Sequence, residues 1–442
     1  MKLSERSQAM MLFPLFLAIT FSVFWQPGKF FFIMDDWTDL FMITEYPFLK
    51  YLFDADAEMW RPFSRFIYYI SVRSFGDHYD YYLVVNCFLT SINALLIFIF
   101  LRKNLNFFLA FMLSSFYSLA AVHSATVHMA YYINAIICVG FFISAIIITD
   151  KYLSSPSNFK LVGICLLCWF SLISWNITIA AIWTLPLYAL FLGNGDGRKM
   201  AMSVGLSVLL ASILFTIGYL VFAGFRAVTS HNKEIVTALP GLQYFYHWFL
   251  SAFIYPYCYL FASNSPSLAI ALPLGLICVS VCLGIIWRLG NSREKKLAVW
   301  ALLVNALPFV LVSLARYKLG VFQGGSHRYG VFTLLGALLL FGTALKVLSR
   351  NLPNSFHLRS IVPLLLLGVM IFGQFAATPG VRDVYSKMSG DARQCYDALP
   401  SDRRTLAGYP VPEGLFCGSV HPFLKNSQAK AIKDYLLKAA GG

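Results

Sequence analysis

Apolar runs about 20 residues long recur along this chain, separated by short polar breaks. No other feature constrains its fold as strongly. A bilayer core holds no water to satisfy backbone N–H and C=O groups, so each run must close its hydrogen bonds within itself, as an α-helix. The runs fall at 9–27, 80–101, 105–122, 129–149, 160–174, 177–193, 200–224, 266–287, 298–315, 330–348 and 360–378, about eleven spans by the length that crossing requires. Charged residues make up 12% of the chain, half the roughly 25% of a soluble domain. The expected fold is therefore an all-α polytopic membrane protein, with residues 1–378 forming the transmembrane domain and 379–442 a small polar tail. Residues 1–25 show no small-residue cleavage site and read as a retained first helix. The net charge of +14 points to cytoplasmic Lys and Arg and to anionic headgroups, not to nucleic acid.

Short basic loops set the expected orientation. Lys2 and Arg6 place the N-terminus inside, and Arg102-Lys103, Lys151 with Lys160, and Arg198-Lys199 follow on the same side. Arg288 to Lys296, and then Lys346, Arg350 and Arg359, keep the alternation only if 242–262 does not cross. That run is aromatic and interrupted by Pro256, which suits a segment lying at the membrane interface. The tail then ends outside, where an oxidising compartment favours a Cys395–Cys417 disulfide. Cys165 and Cys168 make a C-x2-C inside an apolar run with no second pair, a poor metal signal.

The loop at 28–79 faces outside under this orientation, and nine of the chain's 20 acidic residues lie between 35 and 80. Trp37–Ile43 and Phe63–Ile70 have the pattern of amphipathic helices on the membrane surface. Four clusters share this side: Asp35-Asp36-Trp37, Trp60-Arg61-Pro62-Phe63, His123 to Tyr131, and Ser326-His327-Arg328-Tyr329. Ionisable groups at a membrane boundary are functional candidates. A carboxylate there can serve as general base on a hydroxyl, and an Arg can fork onto a phosphate. Each cluster also has a plainer reading: a solvated loop for the acids, a snorkelling side chain for Arg61, polar turn residues for His123 and His128, an outer-loop cation for Arg328.

The order of these clusters resembles the GT-C superfamily of polyprenyl-phosphate-sugar-dependent glycosyltransferases. An acidic pair follows the first span, Trp60-Arg61-Pro62 lies later in the loop, and Tyr81-Tyr82-x-x-x-Asn86 enters the second span. The turn at 123–128 and Arg328-Tyr329 resemble two further outer-loop motifs of the superfamily. The likeness covers 28–190, and 298–350 more loosely. Two features depart from it. Trp175-Asn176 stands where relatives carry Lys-Glu, and no Pro follows His123.

The resemblance implies a sugar donor on a polyprenyl phosphate, an extracytoplasmic glycan or lipid acceptor in a bacterial inner membrane, and a single inverting displacement. Asp35 or Asp36 would be the base. Arg61, Arg328 and Tyr329 would meet the lipid phosphate, and Trp37, Trp60, His123 and His128 would line the substrate. No cofactor is implied, and the ligand spacing supports no divalent metal. The competing classes are a transporter or flippase of lipid-linked saccharide, and an O-antigen polymerase or ligase. The first expects charges inside spans and broken helices at mid-depth, whereas here the acids gather at one surface. The second places its large loop late in the chain.

Overall fold

The computed structural model describes residues 5–33, 35–54, 60–193, 196–237, 242–261, 267–316, 327–352, 356–397, 405–406, 409–410 and 426–440. The architecture is all-α, save for a two-residue antiparallel pairing of Thr405–Leu406 with Tyr409–Pro410. The N-terminal half runs α1 (Glu5–Phe24), α2 (Asp35–Glu45), α3 (Phe48–Phe53), α4 (Pro62–Phe75), α5 (Tyr79–Asn104), α6 (Phe107–Leu119), α7 (Ser124–His128), α8 (Ile133–Ser154), α9 (Asn158–Ser174), α10 (Thr178–Ile182) and α11 (Thr184–Leu192). Then come α12 (Gly197–Thr237), α13 (Leu242–Phe249), α14 (Tyr255–Cys258), α15 (Leu268–Leu289), α16 (Ser292–Arg316), α17 (His327–Asn351), α18 (Phe356–Asp397) and α19 (Asn426–Ala440). Single 3-10 turns at Ala121–His123 and Ala130–Tyr132 flank α7.

Among the described residues, seven helices are long and apolar enough to cross a membrane: Tyr79–Asn104, Phe107–His128, Ala130–Ser154, Gly197–Phe222, Leu268–Leu289, Gly330–Asn351 and Ile361–Asp397. The chain is thus a multi-pass membrane protein. The remaining expected spans fall on three shorter apolar helices, Met10–Phe24, Asn158–Ser174 and Thr178–Leu192, and on α16, which opens with charged residues. Local sequence sets the helix starts. Asn106 caps α6 by accepting from Leu109 N at 2.8 Å, Ser157 caps α9, and Pro62 opens α4, where a missing N–H costs nothing.

Within 242–261, Leu250, Ile254, Tyr257 and Leu260 are fully buried, because α13, a π-helical turn at Leu250–Ile254 and α14 pack against α15, α16 and α17, while Phe245 and Tyr246 on α13 are exposed. Some aromatics of this run find polar partners on α16. Trp248 Nε1 donates to Ala306 O at 2.9 Å, and the Asn305 amide donates to Tyr257 Oη at 3.3 Å. The helix that carries the last expected span, α18, continues past 378 through Pro379 to Asp397.

The buried residues form two clusters, one along the bundle and one at one end of it. The end cluster joins Phe30–Ile33, Trp37, Tyr79 and Tyr82 to Tyr396 on α18 and to Ile432 and Leu436 on α19. The C-terminal helices therefore complete the core of the first loop. Ser389 Oγ donates to Phe31 O at 3.3 Å, Arg382 donates to Val23 O at 3.1 Å, and the Lys433 ammonium donates to Tyr396 O at 2.8 Å. Gly28 turns the chain after α1 with φ 74°, a value that suits a residue without Cβ, and its N–H donates to Asp80 on α5. At the opposite end Glu294 accepts a fork from Arg350 at 3.1 and 3.2 Å, Lys346 donates to Asn104 O, and Lys103 pairs with Asp150.

Candidate functional site

The site begins at the first turn of α2. Asp36 N donates to Ile33 O, and the Asp36 carboxylate reaches back to accept from Ile33 N, both at 3.0 Å. An acid in the first turn thereby satisfies a backbone N–H just ahead of the helix. The other carboxylate oxygen, Oδ1, accepts from Tyr131 N at 2.7 Å. Asp36 is completely buried. Burial pushes its carboxyl up to about 8. The two N–H bonds oppose that shift, and neighbouring Asp35 and Asp39 add to it.

Asp35 sits differently. Its side chain is partly exposed, and its Oδ2 accepts from the Tyr132 hydroxyl at 3.0 Å. Adjacent acids thus contact adjacent tyrosines from the turn that precedes α8. One is sealed inside, while the other remains open to solvent.

Behind them lies a third acid. Asp39, one helical turn beyond Asp36, places Oδ1 3.7 Å from Arg61 Nη2 and 3.9 Å from Arg65 Nε. All three side chains are buried. Arg65 also donates to the carbonyls of Tyr51, at 3.0 Å, and Asp54. Arg61 lies over the Tyr131 ring, 4.1 Å from its centroid. Tyr131 therefore touches Asp36 through its backbone and Arg61 through its ring.

The turn carrying these tyrosines is fixed from α5. Asn86 donates to Val127 O at 3.1 Å, with longer contacts to Thr126 O and Met129 O. The Tyr79 hydroxyl donates to His128 O at 2.7 Å and accepts from Ala130 N at 3.0 Å. Gln374 of α18 accepts from Ala121 N and donates to Tyr259 O, both at 2.9 Å, linking the same turn to the broken helix α13–α14.

The four residues expected to line a substrate are all interior. Trp37 donates from Nε1 to Phe32 O at 3.0 Å within the end cluster. Trp60 packs on α12, stacked with Phe222 and beside Phe215. His123 stands edge-on to Tyr117, with ring centroids 4.4 Å apart. His128 stacks on Phe30 at 4.2 Å and sets Nε2 3.3 Å from Phe24 O. These contacts make the two His residues supports of the turn, packed against different neighbours. Arg328 and Tyr329 occupy the first turn of α17, which packs on Val122 at this same end, and their side chains lie outside the described residues. Cys395 is disulfide-bonded, Cys417 lies outside the described residues, and the seven other cysteines are free and buried.

Sequence reasoning singled out Asp35, Asp36 and Arg61, and included Tyr131 in the cluster that starts at His123, but passed over Asp39, Arg65, Tyr79 and Tyr132. Two of these had a readable signal. Asp36 with Asp39, and Arg61 with Arg65, stand three and four residues apart, the spacing that places side chains on one helix face. Among the described residues, no three His, Cys, Asp or Glu side chains gather closely enough to hold a metal ion. No family model matches the chain, and no curated protein does.

Proposed function

We propose that the protein is a membrane glycosyltransferase that moves a sugar from a polyprenyl phosphate to an extracytoplasmic glycan or lipid of the bacterial envelope. The observation that carries this reading is the division of labour between Asp35 and Asp36. Asp36 is buried and spends both oxygens on backbone N–H groups, which ties α2 to the turn at Tyr131. Asp35 is partly exposed and accepts from the Tyr132 hydroxyl, an orientation that suits a general base.

In this reaction Asp35 takes the proton of an acceptor hydroxyl. The acceptor oxygen attacks the anomeric carbon as the bond from that carbon to the phosphate oxygen breaks. The polyprenyl phosphate leaves with the bonding electrons, and the configuration inverts. Arg328 and Tyr329, at the first turn of α17, receive the departing phosphate. Arg61, held by Asp39 and stacked on Tyr131, adds positive potential from behind. The membrane arrangement that goes with this reading has about eleven spans, a cytoplasmic N-terminus, and the Asp35 end and C-terminus outside. The distribution of Lys and Arg between the short loops supports that orientation.

The test is transfer of radiolabelled sugar from a panel of polyprenyl-phosphate donors in membranes containing the wild type or the Asp35→Asn/Asp36→Asn double variant. Label should reach an envelope acceptor only with the wild type. Equal transfer by both would remove the acids from the chemistry. No transfer from any donor by the wild type would favour a transporter.

A further inference from the structure

At the end of the bundle remote from Asp35, a cavity of about 520 Å³ opens between the end of α8 and the start of α12. Its walls include Tyr152, Pro156, Asp196, Lys199, Met200 and Ser203. α5 and α8 fix its distance from the first site. Both start beside the tyrosine turn, at Tyr79 and Ile133, and both finish where Lys103 meets Asp150. A helix of 22 residues separates the two ends by roughly 30 Å.

We infer that this cavity binds the headgroup of an anionic phospholipid. The charge around it is positive. Lys151, Lys160, Arg198 and Lys199 outnumber Asp150 and Asp196. Asp150 is occupied by Lys103 and by the Tyr188 hydroxyl, and the Lys160 ammonium is directed to the carbonyls of Lys151 and Ser155. Lys199, which lines the cavity and is exposed, is left to meet a phosphate; Ser203, one turn further along the same face of α12, donates its hydroxyl to Lys199 O at 3.1 Å and lines the cavity as a small side chain. Asp196 is the acid in the wall and suits the hydroxyls of a glycerol headgroup.

The flanks indicate a lipid and not a free phosphate. Met202 and Leu206 of α12 are 71% and 65% exposed, and Phe159 and Val162 of α9 are 86% and 55% exposed. α9 and α12 pack on each other, so two apolar faces open to lipid converge beside a pocket lined by a cation. Basic pockets between transmembrane helices are where anionic headgroups bind. The site is independent of the transferase reading, since it uses other residues at the other end of the bundle.

Native mass spectrometry of the full chain, released from detergent supplied with phosphatidylglycerol or phosphatidylcholine, tests the assignment. The wild type should retain phosphatidylglycerol in preference to phosphatidylcholine. Lys199→Gln should weaken retention roughly fivefold, the worth of one cation near anionic lipid. Ser203→Trp, which fills the cavity without removing charge, should abolish it. Lys160→Gln, whose ammonium is engaged elsewhere, should behave as wild type, and glycerol 3-phosphate should not displace the lipid. Equal retention of the two lipids would overturn the assignment. So would unchanged retention by both cavity variants, or displacement by glycerol 3-phosphate.

Discussion

Tyr131 N donates to Asp36 Oδ1 at 2.7 Å, joining positions 95 residues apart. This bond, with the one from Ile33 N, turns a buried acid into the joint between α2 and the turn before α8. It also divides two neighbouring carboxylates into a structural one and an open one.

The joint has a pH signature. The folded Asp36 carboxyl titrates near 8, against 3.8 for its ordinary value. Between those values the folded protein holds a proton that the unfolded chain has released, so stability falls as pH rises through the window and levels off above it. Asp36→Asn removes this slope. Its amide accepts from only one of the two N–H groups, so at low pH the variant melts below the wild type, by the roughly 1–3 kcal/mol typical of a stranded buried donor, and the two curves cross as rising pH destabilises the wild type. Melting curves in detergent from pH 4 to 9 check both the slope and the offset.

Asp39 compensates two buried guanidiniums. Asp39→Ala leaves Arg61 and Arg65 without it in a dry interior, a change that costs about 3–5 kcal/mol. A much smaller loss of thermal stability would mean that other contacts carry the pair.

The segment before α4 is seated against α12. A Cβ added at Gly218 would lie 2.2 Å from Trp60 Cη2, closer than atoms can approach. Gly218→Ala should displace the indole next to Arg61 and destabilise the fold by about 1–3 kcal/mol, as overpacking does. Adding Trp60→Phe should recover part of that loss, which a double-mutant cycle measures.

Tyr132→Phe removes the hydroxyl that donates to Asp35 at 3.0 Å and leaves the ring packing in place. The expected result is a fall in kcat of about tenfold, less than the roughly 10²–10⁴-fold of losing the base itself, with little change in KM or melting temperature. A change in KM alone would place Tyr132 in substrate binding.

Much of this arrangement was readable from local pattern. Hydropathy marks the apolar helices because the bilayer imposes a length and a composition on each one separately. The acids of the first loop, and Asn86 entering α5, stand out against apolar surroundings. What escaped depends on distance in the chain. Nothing near Asp35 or Asp36 in sequence points to Tyr131 and Tyr132, because those bonds form only when α8 packs beside α5. Trp37, His123 and His128 read equally well as lining or as interior, and in the fold all three are buried. The run at 242–262 shows the same ambiguity. Aromatics suit a headgroup belt and a packed core alike: Tyr257 is buried, Phe245 and Tyr246 are exposed, and the hydrogen bonds of Trp248 and Tyr257 come from α16.

The most direct test is the rate of sugar transfer from a polyprenyl-phosphate donor by Asp35→Asn, in membranes matched for protein content. No transfer is expected, with the wild-type melting temperature retained because Asp35 is partly exposed. Transfer at the wild-type rate by Asp35→Asn would contradict the assignment of Asp35 as the base.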